Sequence, residues 1–174
     1  MSEEIVNRVA NSALITVDLE EYFPEGPRKT IDLSQWLDQG FILKEKEFRS
    51  ALEQFDWSGY QDSYVNLVCS TDAILPGWAF MLVGLKLAGI AKAAVQGSSE
   101  DLERSLYQDI IAQIDPEDYR DKPVIIKGCS NKPVPEEAYL ILANHLQPTA
   151  RSIMYGEACS SVPLYKKKGH RTSN

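Results

Sequence analysis

Two stretches of this chain follow one plan, and that plan limits the folds open to it. "VNLVCSTDAILPGWAF" (65–80) and "VIIKGCSNKPVPEEAY" (124–139) each pass from an apolar run, through Cys-Ser and a short turn, to a proline that opens a helix. The apolar runs are rich in β-branched residues and short enough to be buried strands. Proline suits the first helical turn, where its missing N–H costs no hydrogen bond. A strand running directly into a helix, twice, predicts right-handed βαβ units and parallel pairing.

The rest of the chain is consistent with this. "ALITVDL" (13–19) alternates as a strand does, and "EEYFPEGPRK" is a loop by its Pro and Gly content. "TIDLSQWLDQGFI" opens with an extended piece, after which Asp32 or Ser34 caps a helical turn. "LKEKEFRSALEQFD" places Leu43, Phe48, Leu52 and Phe55 on one helical side. "PGWAFMLVGLKLAGIAKAA" (76–94) is apolar nearly all round, which predicts a long buried helix. "SSEDLERSLYQDIIAQI" is amphipathic, with Ser98 or Ser99 as its cap, and "PEEAYLILANHLQ" is a further helix. "RSIMYG" (151–156) reads as a last short strand. The expected fold is α/β: one mainly parallel, or mixed, sheet of about four to five strands with helices packed on it. Residues 1–165 are expected to form a single domain and 166–174 a basic flexible tail.

The 174 residues are enough for a hydrophobic core without disulfide staples. The net charge of −7 argues against nucleic acid and anionic membranes as partners, because both are bound through basic surfaces. "MSEEIVNRVANS" carries acids where a secretory signal needs a basic start and an apolar centre. The longest uncharged apolar run, Ala73 to Leu85, is too short to span a bilayer. The chain is therefore expected in the cytoplasm, with reduced thiols.

There are three cysteines, and each is followed by serine and soon by proline. Cys69 and Cys129 fall at carboxyl ends of expected strands, ahead of helix N-termini. That edge of a parallel sheet is where ligands bind, and the helix end stabilises a thiolate. Cys159, in "GEACSSVP", follows a third strand-like run and could reach the same edge. Three thiolates in one crevice would repel one another unless a cation held them, which suits tetrahedral zinc or an iron–sulfur cluster. On this reading Ser70, Ser130 and Ser160 donate hydrogen bonds to sulfur, and Asp72 or Glu157 is the fourth ligand. The competing reading of each cysteine is a core filler, and core filling requires neither serine nor proline nearby.

Other chemistries are harder to place. The chain has no phosphate-binding loop, no dinucleotide fingerprint and no serine-hydrolase elbow. Leu75, Pro135 and Tyr165 stand where a cysteine phosphatase needs arginine. His145, late in a helix, is expected to face solvent, and His170 lies in the tail. Asp18 and Glu20 would share a strand face, either binding a hard cation or forming the wet side of an edge strand.

Together "CSTDAILPGWAFML", "IKGCSNKPVPEEAY", "RSIMYGEACSSVPLYKK", "LITVDLEEYFPEG" and "FILKEKEFR" resemble an uncharacterised family of short bacterial proteins, a domain of unknown function. The likeness covers most of the chain and matches Cys69, Cys129 and Cys159 to the family's Cys-Ser motifs. Ala158 replaces the proline that the family places before the third cysteine. The resemblance implies encoding near sulfur-mobilisation genes, and hence iron–sulfur assembly proteins as partners; it supplies no activity. Three readings remain open at this point. The first is a metal or iron–sulfur protein accessory to cluster biogenesis. The second is a thiol enzyme or persulfide carrier with Cys129 as nucleophile. The third is a binding module with buried cysteines that docks through "GEACSSVPLYKKK".

Overall fold

The computed structural model describes residues 13–128 and 131–168. In chain order the strands are β1 Ile15–Val17, β2 Arg28–Asp32, β3 Tyr64–Val68, β4 Ala93–Gln96, β5 Pro123–Ile126, β6 Ser152–Glu157 and β7 Ser160–Lys166. The helices are α1 Glu45–Gln54, α2 Gly77–Leu87, α3 Ser99–Ala112 and α4 Glu136–Leu146. Short 3-10 turns follow β1 and β2 and precede β3 and β5. The class is α/β and most strand pairs are parallel, as the sequence predicts. The strands are shared between two sheets, in the orders β1-β5-β6-β7 and β2-β3-β4.

The chain divides into two compact units. Unit 1 is Met1–Phe23 with Tyr107–Asn174, and unit 2 is Pro24–Leu106. In unit 2, β2, β3 and β4 run parallel. Its core is Ile31 of β2, Leu33 just after it, Phe48 and Leu52 from α1, Val65 and Leu67 from β3, and Ala79, Val83 and Leu87 from α2. In unit 1, β1, β5 and β6 run parallel and β7 returns antiparallel along β6. Its core takes Val17 and Leu19, Tyr107 and Ile111 from α3, Val124 and Ile126, and Ala138, Leu142 and Leu146 from α4.

These two descriptions are of one unit built twice. A shift of 59 in residue number carries the β3–β4 register, Tyr64 opposite Ala93, onto the β5–β6 register, Pro123 opposite Ser152. The same shift carries α2 onto α4, both of 11 residues, and the buried trio Ala79, Val83, Leu87 onto Ala138, Leu142, Leu146. It also carries buried Phe48 and Leu52 onto buried Tyr107 and Ile111. Even the left-handed turn residue recurs, as Asp62 and Asp121 with φ of 55° and 56°. Their N–H groups donate to the equivalent carbonyls of Ile90 and Thr149. For the first strands the shift is 14: Val17, Asp18 and Leu19 correspond to Ile31, Asp32 and Leu33. Equal burial at equal positions is what two copies of one core require.

Three local expectations need correction. The long apolar helix ends at Leu87 rather than near residue 94, because Gly89 takes φ +79° and turns the chain into β4. That helix buries only one stripe, Ala79, Val83 and Leu87, while Met81 and Leu85 are 70% and 72% exposed. Beyond β6, residues 160–166 continue as β7, and Lys167 beyond it pairs with Asp121 at 2.9 Å. His145 is half-buried, its Nε2 lying 2.8 Å from the Ile114 carbonyl oxygen. Residues 169–174 lie outside the described residues.

Candidate functional site

The carboxyl edges of the two parallel sheets carry the candidate groups. In unit 2, β2 ends at Asp32, whose carboxylate accepts the Ser34 N–H at 2.9 Å and so caps the 3-10 turn Leu33–Trp36. The same oxygen accepts the Ser70 N–H at 3.1 Å, from the loop that leaves β3. The Ser34 and Ser70 hydroxyls lie 3.2 Å apart. Burial pushes the Asp32 carboxyl up. The hydroxyls and N–H groups of Ser70 and Ser34 outweigh that effect and hold it at about 2.

Cys69 sits in this loop, half-buried and free. Its Sγ lies 3.4 Å from the Thr71 hydroxyl and 3.7 Å from the Thr71 carbonyl oxygen. Thr71 Oγ1 donates to the Gly40 carbonyl at 2.6 Å, which fixes the hydroxyl beside the sulfur. The group next to Sγ is therefore Thr71, while the Ser70 hydroxyl engages Ser34. Asp72 is exposed.

In unit 1 the corresponding edge is more strongly charged. β1 leads into Asp18, which caps its own 3-10 turn through the Glu20 N–H at 3.0 Å. Its other oxygen receives Lys127 Nζ at 2.6 Å, from the residue just beyond β5. Burial pushes the Asp18 carboxyl up. The Lys127 hydrogen bond, the Glu20 N–H and the lysine's charge prevail and bring it below the usual range. Lys127 is raised in turn, first by its hydrogen bond to Asp18, with burial opposing, then by the charges of Asp18, Glu157 and Glu20. Glu20 accepts the N–H groups of Asn131 and Lys132, so the chain is pinned on the far side of residues 129–130. On the near side the Tyr155 hydroxyl donates to the Gly128 carbonyl at 3.3 Å. A Cβ at Gly128 would lie 2.6 Å from the Tyr155 ring, so this approach requires glycine.

Cys129 and Ser130 lie outside the described residues. Cys159 is exposed and free in the turn between β6 and β7, with exposed Glu157 two residues before it and exposed Ser160 after it. Ile126 of β5 lies opposite Tyr155 of β6, so both strands end at this edge. Cys69 and Cys159 belong to different units. Among the described residues, no three His, Cys, Asp or Glu side chains are grouped to hold a metal ion.

Asp18 and Glu20 thus do not share a strand face: Asp18 caps the 3-10 turn after β1, Glu20 lies within that turn, and both are tied to the loop after β5. Sequence reasoning passed over Asp32 and Lys127 as site residues. The available signal was the repeat of Thr-Val-Asp-Leu (16–19) as Thr-Ile-Asp-Leu (30–33).

A duplicated α/β unit, with a carboxylate-clamped loop at the carboxyl edge of each parallel sheet, defines the class of protein. The chain belongs to the family described as protein of unknown function, DUF2480, whose model matches residues 3–167. No curated protein and no solved structure matches the chain at a significant level. Among the described residues, no helix is long and apolar enough to cross a membrane.

Proposed function

We propose that the chain is a cysteine-based metal or iron–sulfur protein and an accessory factor in iron–sulfur cluster biogenesis in bacteria. Its working edge is the carboxyl edge of the unit 1 sheet, with Cys129 and Cys159 as thiolate ligands. One observation carries this reading: the parallel β5–β6 register brings the turn that holds Cys159 and the strand end that runs into Cys129 to one edge. Asp18 and Glu20 are already engaged by Lys127, Asn131 and Lys132, which leaves exposed Glu157, two residues before Cys159, as the carboxylate available. Two thiolates and a carboxylate suit zinc, and an iron–sulfur cluster would draw on the same thiolates. The gene setting implied by the family resemblance, beside sulfur-mobilisation genes, supports the same assignment and makes assembly proteins the partners.

The test is elemental analysis and a visible spectrum of untagged protein purified without oxygen, alongside Cys129→Ser, Cys159→Ser and Cys69→Ser. Near-stoichiometric zinc, or iron with sulfide, is expected in the wild type and lost in the first two variants. Metal retained in both, or absent from the wild type after reconstitution, overturns the assignment. The Cys69 variant reports whether the third thiol belongs to the centre.

A second reading, a thiol enzyme or persulfide carrier acting through Cys129, is favoured by Lys127. This cation is held two residues before the thiol, and a neighbouring positive charge stabilises a thiolate. It predicts one fast-alkylating cysteine in metal-free protein, identified by mass spectrometry, with the other two slower. If all three react alike, this reading fails. Unchanged stability and partner capture in a triple Cys→Ser variant would support the non-catalytic binding module instead.

A further inference from the structure

The two units differ at the outer edge of the third parallel strand. In unit 1 the third parallel strand, β6, is covered by β7, which pairs with it antiparallel, Ile153 opposite Tyr165. In unit 2 the corresponding strand, β4, is the last in its sheet, and among the described residues nothing pairs with its outer edge. The grooves beside the two strands differ accordingly. The unit 1 groove, between the end of α4 and β6, is about 160 Å³ and has Leu164 and Tyr165 of β7 in its lining. The unit 2 groove, between the end of α2 and β4, is about 650 Å³.

The substitutions that open this larger groove lie on its floor. Ile153, buried at 1%, is replaced at the equivalent position by exposed Ala94. Ala143 of α4 is replaced by Gly84, with no atom within 4 Å of where its Cβ would stand. Met81 and Leu85 line the same groove and are 70% and 72% exposed. Unit 2 therefore has an open strand edge, a wide apolar groove beside it and exposed large side chains, all where its sister unit holds a strand.

We propose that the outer edge of β4 and the adjoining groove take up an extended segment of a partner protein, laid antiparallel to β4, with an aromatic or large aliphatic side chain opposite Ala94. Main-chain pairing supplies part of the affinity in such strand addition, and side-chain pockets supply the selectivity. The sister unit shows the geometry of the occupant, because β7 places Tyr165 opposite the residue equivalent to Ala94. A second copy of the chain pairing through β4 would offer only Ala93, Ala94, Val95 and Gln96, and none of these fills the groove.

The probe is a labelled peptide of residues 161–167, Ser-Val-Pro-Leu-Tyr-Lys-Lys, which carries most of β7, titrated by fluorescence anisotropy against the full chain. Saturable binding is expected below about 1 mM, weakened at least tenfold when the peptide tyrosine becomes alanine. Gly84→Leu fills the groove from a helix position with open space around it, and is expected to abolish binding while the protein remains folded by circular dichroism. Leu85→Glu, at an exposed site, is expected to weaken binding similarly. Absence of saturation by about 1 mM, or equal binding by Gly84→Leu, overturns the proposal. So does a concentration-dependent dimer that Leu85→Glu dissociates and the peptide does not, which would assign the edge to a second copy.

Discussion

Asp32 is the residue whose contribution can be worked most directly from the structure. Its carboxylate accepts two N–H groups from different parts of unit 2, Ser34 and Ser70, and is held ionised to about pH 2. A carboxyl that titrates lower in the folded than in the unfolded chain stabilises the fold above its unfolded pKa. That stability is lost as pH falls through the folded value. Against the ordinary value of 3.8, full linkage would be about 2.5 kcal/mol at neutral pH. Because the group is only partly buried, screening reduces this to about 1 kcal/mol. Asp32→Asn keeps an acceptor oxygen and removes the charge, so it isolates this contribution. Urea unfolding should show the variant less stable by about 1 kcal/mol at pH 7, and by about half that at pH 3. Asp32→Ala also removes the cap and should cost a further ~1 kcal/mol. A gap between wild type and Asn that is constant or widens from pH 7 to pH 3 would refute the charge argument.

Two contrasts between positions test the packing. Gly84→Ala should stabilise by about 0.5–1 kcal/mol, since a helical glycine with open space around it has only its entropy to lose. Gly97→Ala should destabilise by at least ~1 kcal/mol, because φ is +139° there and a Cβ would lie 2.6 Å from the Asp101 carboxylate; thermal melts of both variants decide this. Leu142→Ala, at a site of zero exposure in unit 1, should cost about 3 kcal/mol in urea midpoint terms. The sister change Val83→Ala should cost less, since fewer methylenes leave an equally buried site.

The α/β class was legible in the sequence because strand and helix periods differ and because proline and serine mark helix starts. Ser98 shows this well: its hydroxyl accepts the Asp101 N–H at 3.2 Å while the Asp101 carboxylate accepts the Ser98 N–H at 2.8 Å. β4 was not legible. "AAVQ" has neither alternation nor bulk, and it follows an apolar helix after only residues 88–92, where Gly89 turns the chain at φ +79°. β7 was missed because its proline and its two leading serines read as a turn after the third cysteine, although proline is compatible with an edge strand; only its last residue, Lys166, falls in the run expected as tail. The duplication was half visible. Cys-Ser and proline repeat in sequence, but copies of a core preserve burial rather than identity, as Phe48 against Tyr107 and Val83 against Leu142 show. The candidate site was read from its cysteines, with Asp72 or Glu157 as a fourth ligand. The loop contacts of Asp32 and Asp18 were not legible because these carboxylates meet their loops only through the parallel register, across 38 residues for Ser70 and 109 for Lys127.

The divergence between the copies indicates where unit 1 has been specialised. Val68 stands where Lys127 does in the other unit, so the strand that carries a cation next to the clamp in unit 1 carries a plain aliphatic residue in unit 2. The fold therefore does not need the lysine, because unit 2 forms the same sheet without it. The Lys127–Asp18 pair is close, at 2.6 Å, but its side chains keep 32% and 14% of their exposure, so solvent screens the pair and its stabilising effect is small. Lys127→Met should consequently fold normally and lose little stability in urea unfolding. If the cation serves the thiol edge, the variant should show a much larger change in metal content or in Cys129 alkylation rate than in stability. A variant that loses several kcal/mol of stability, or that alkylates and binds metal as the wild type does, would return Lys127 to an ordinary structural role.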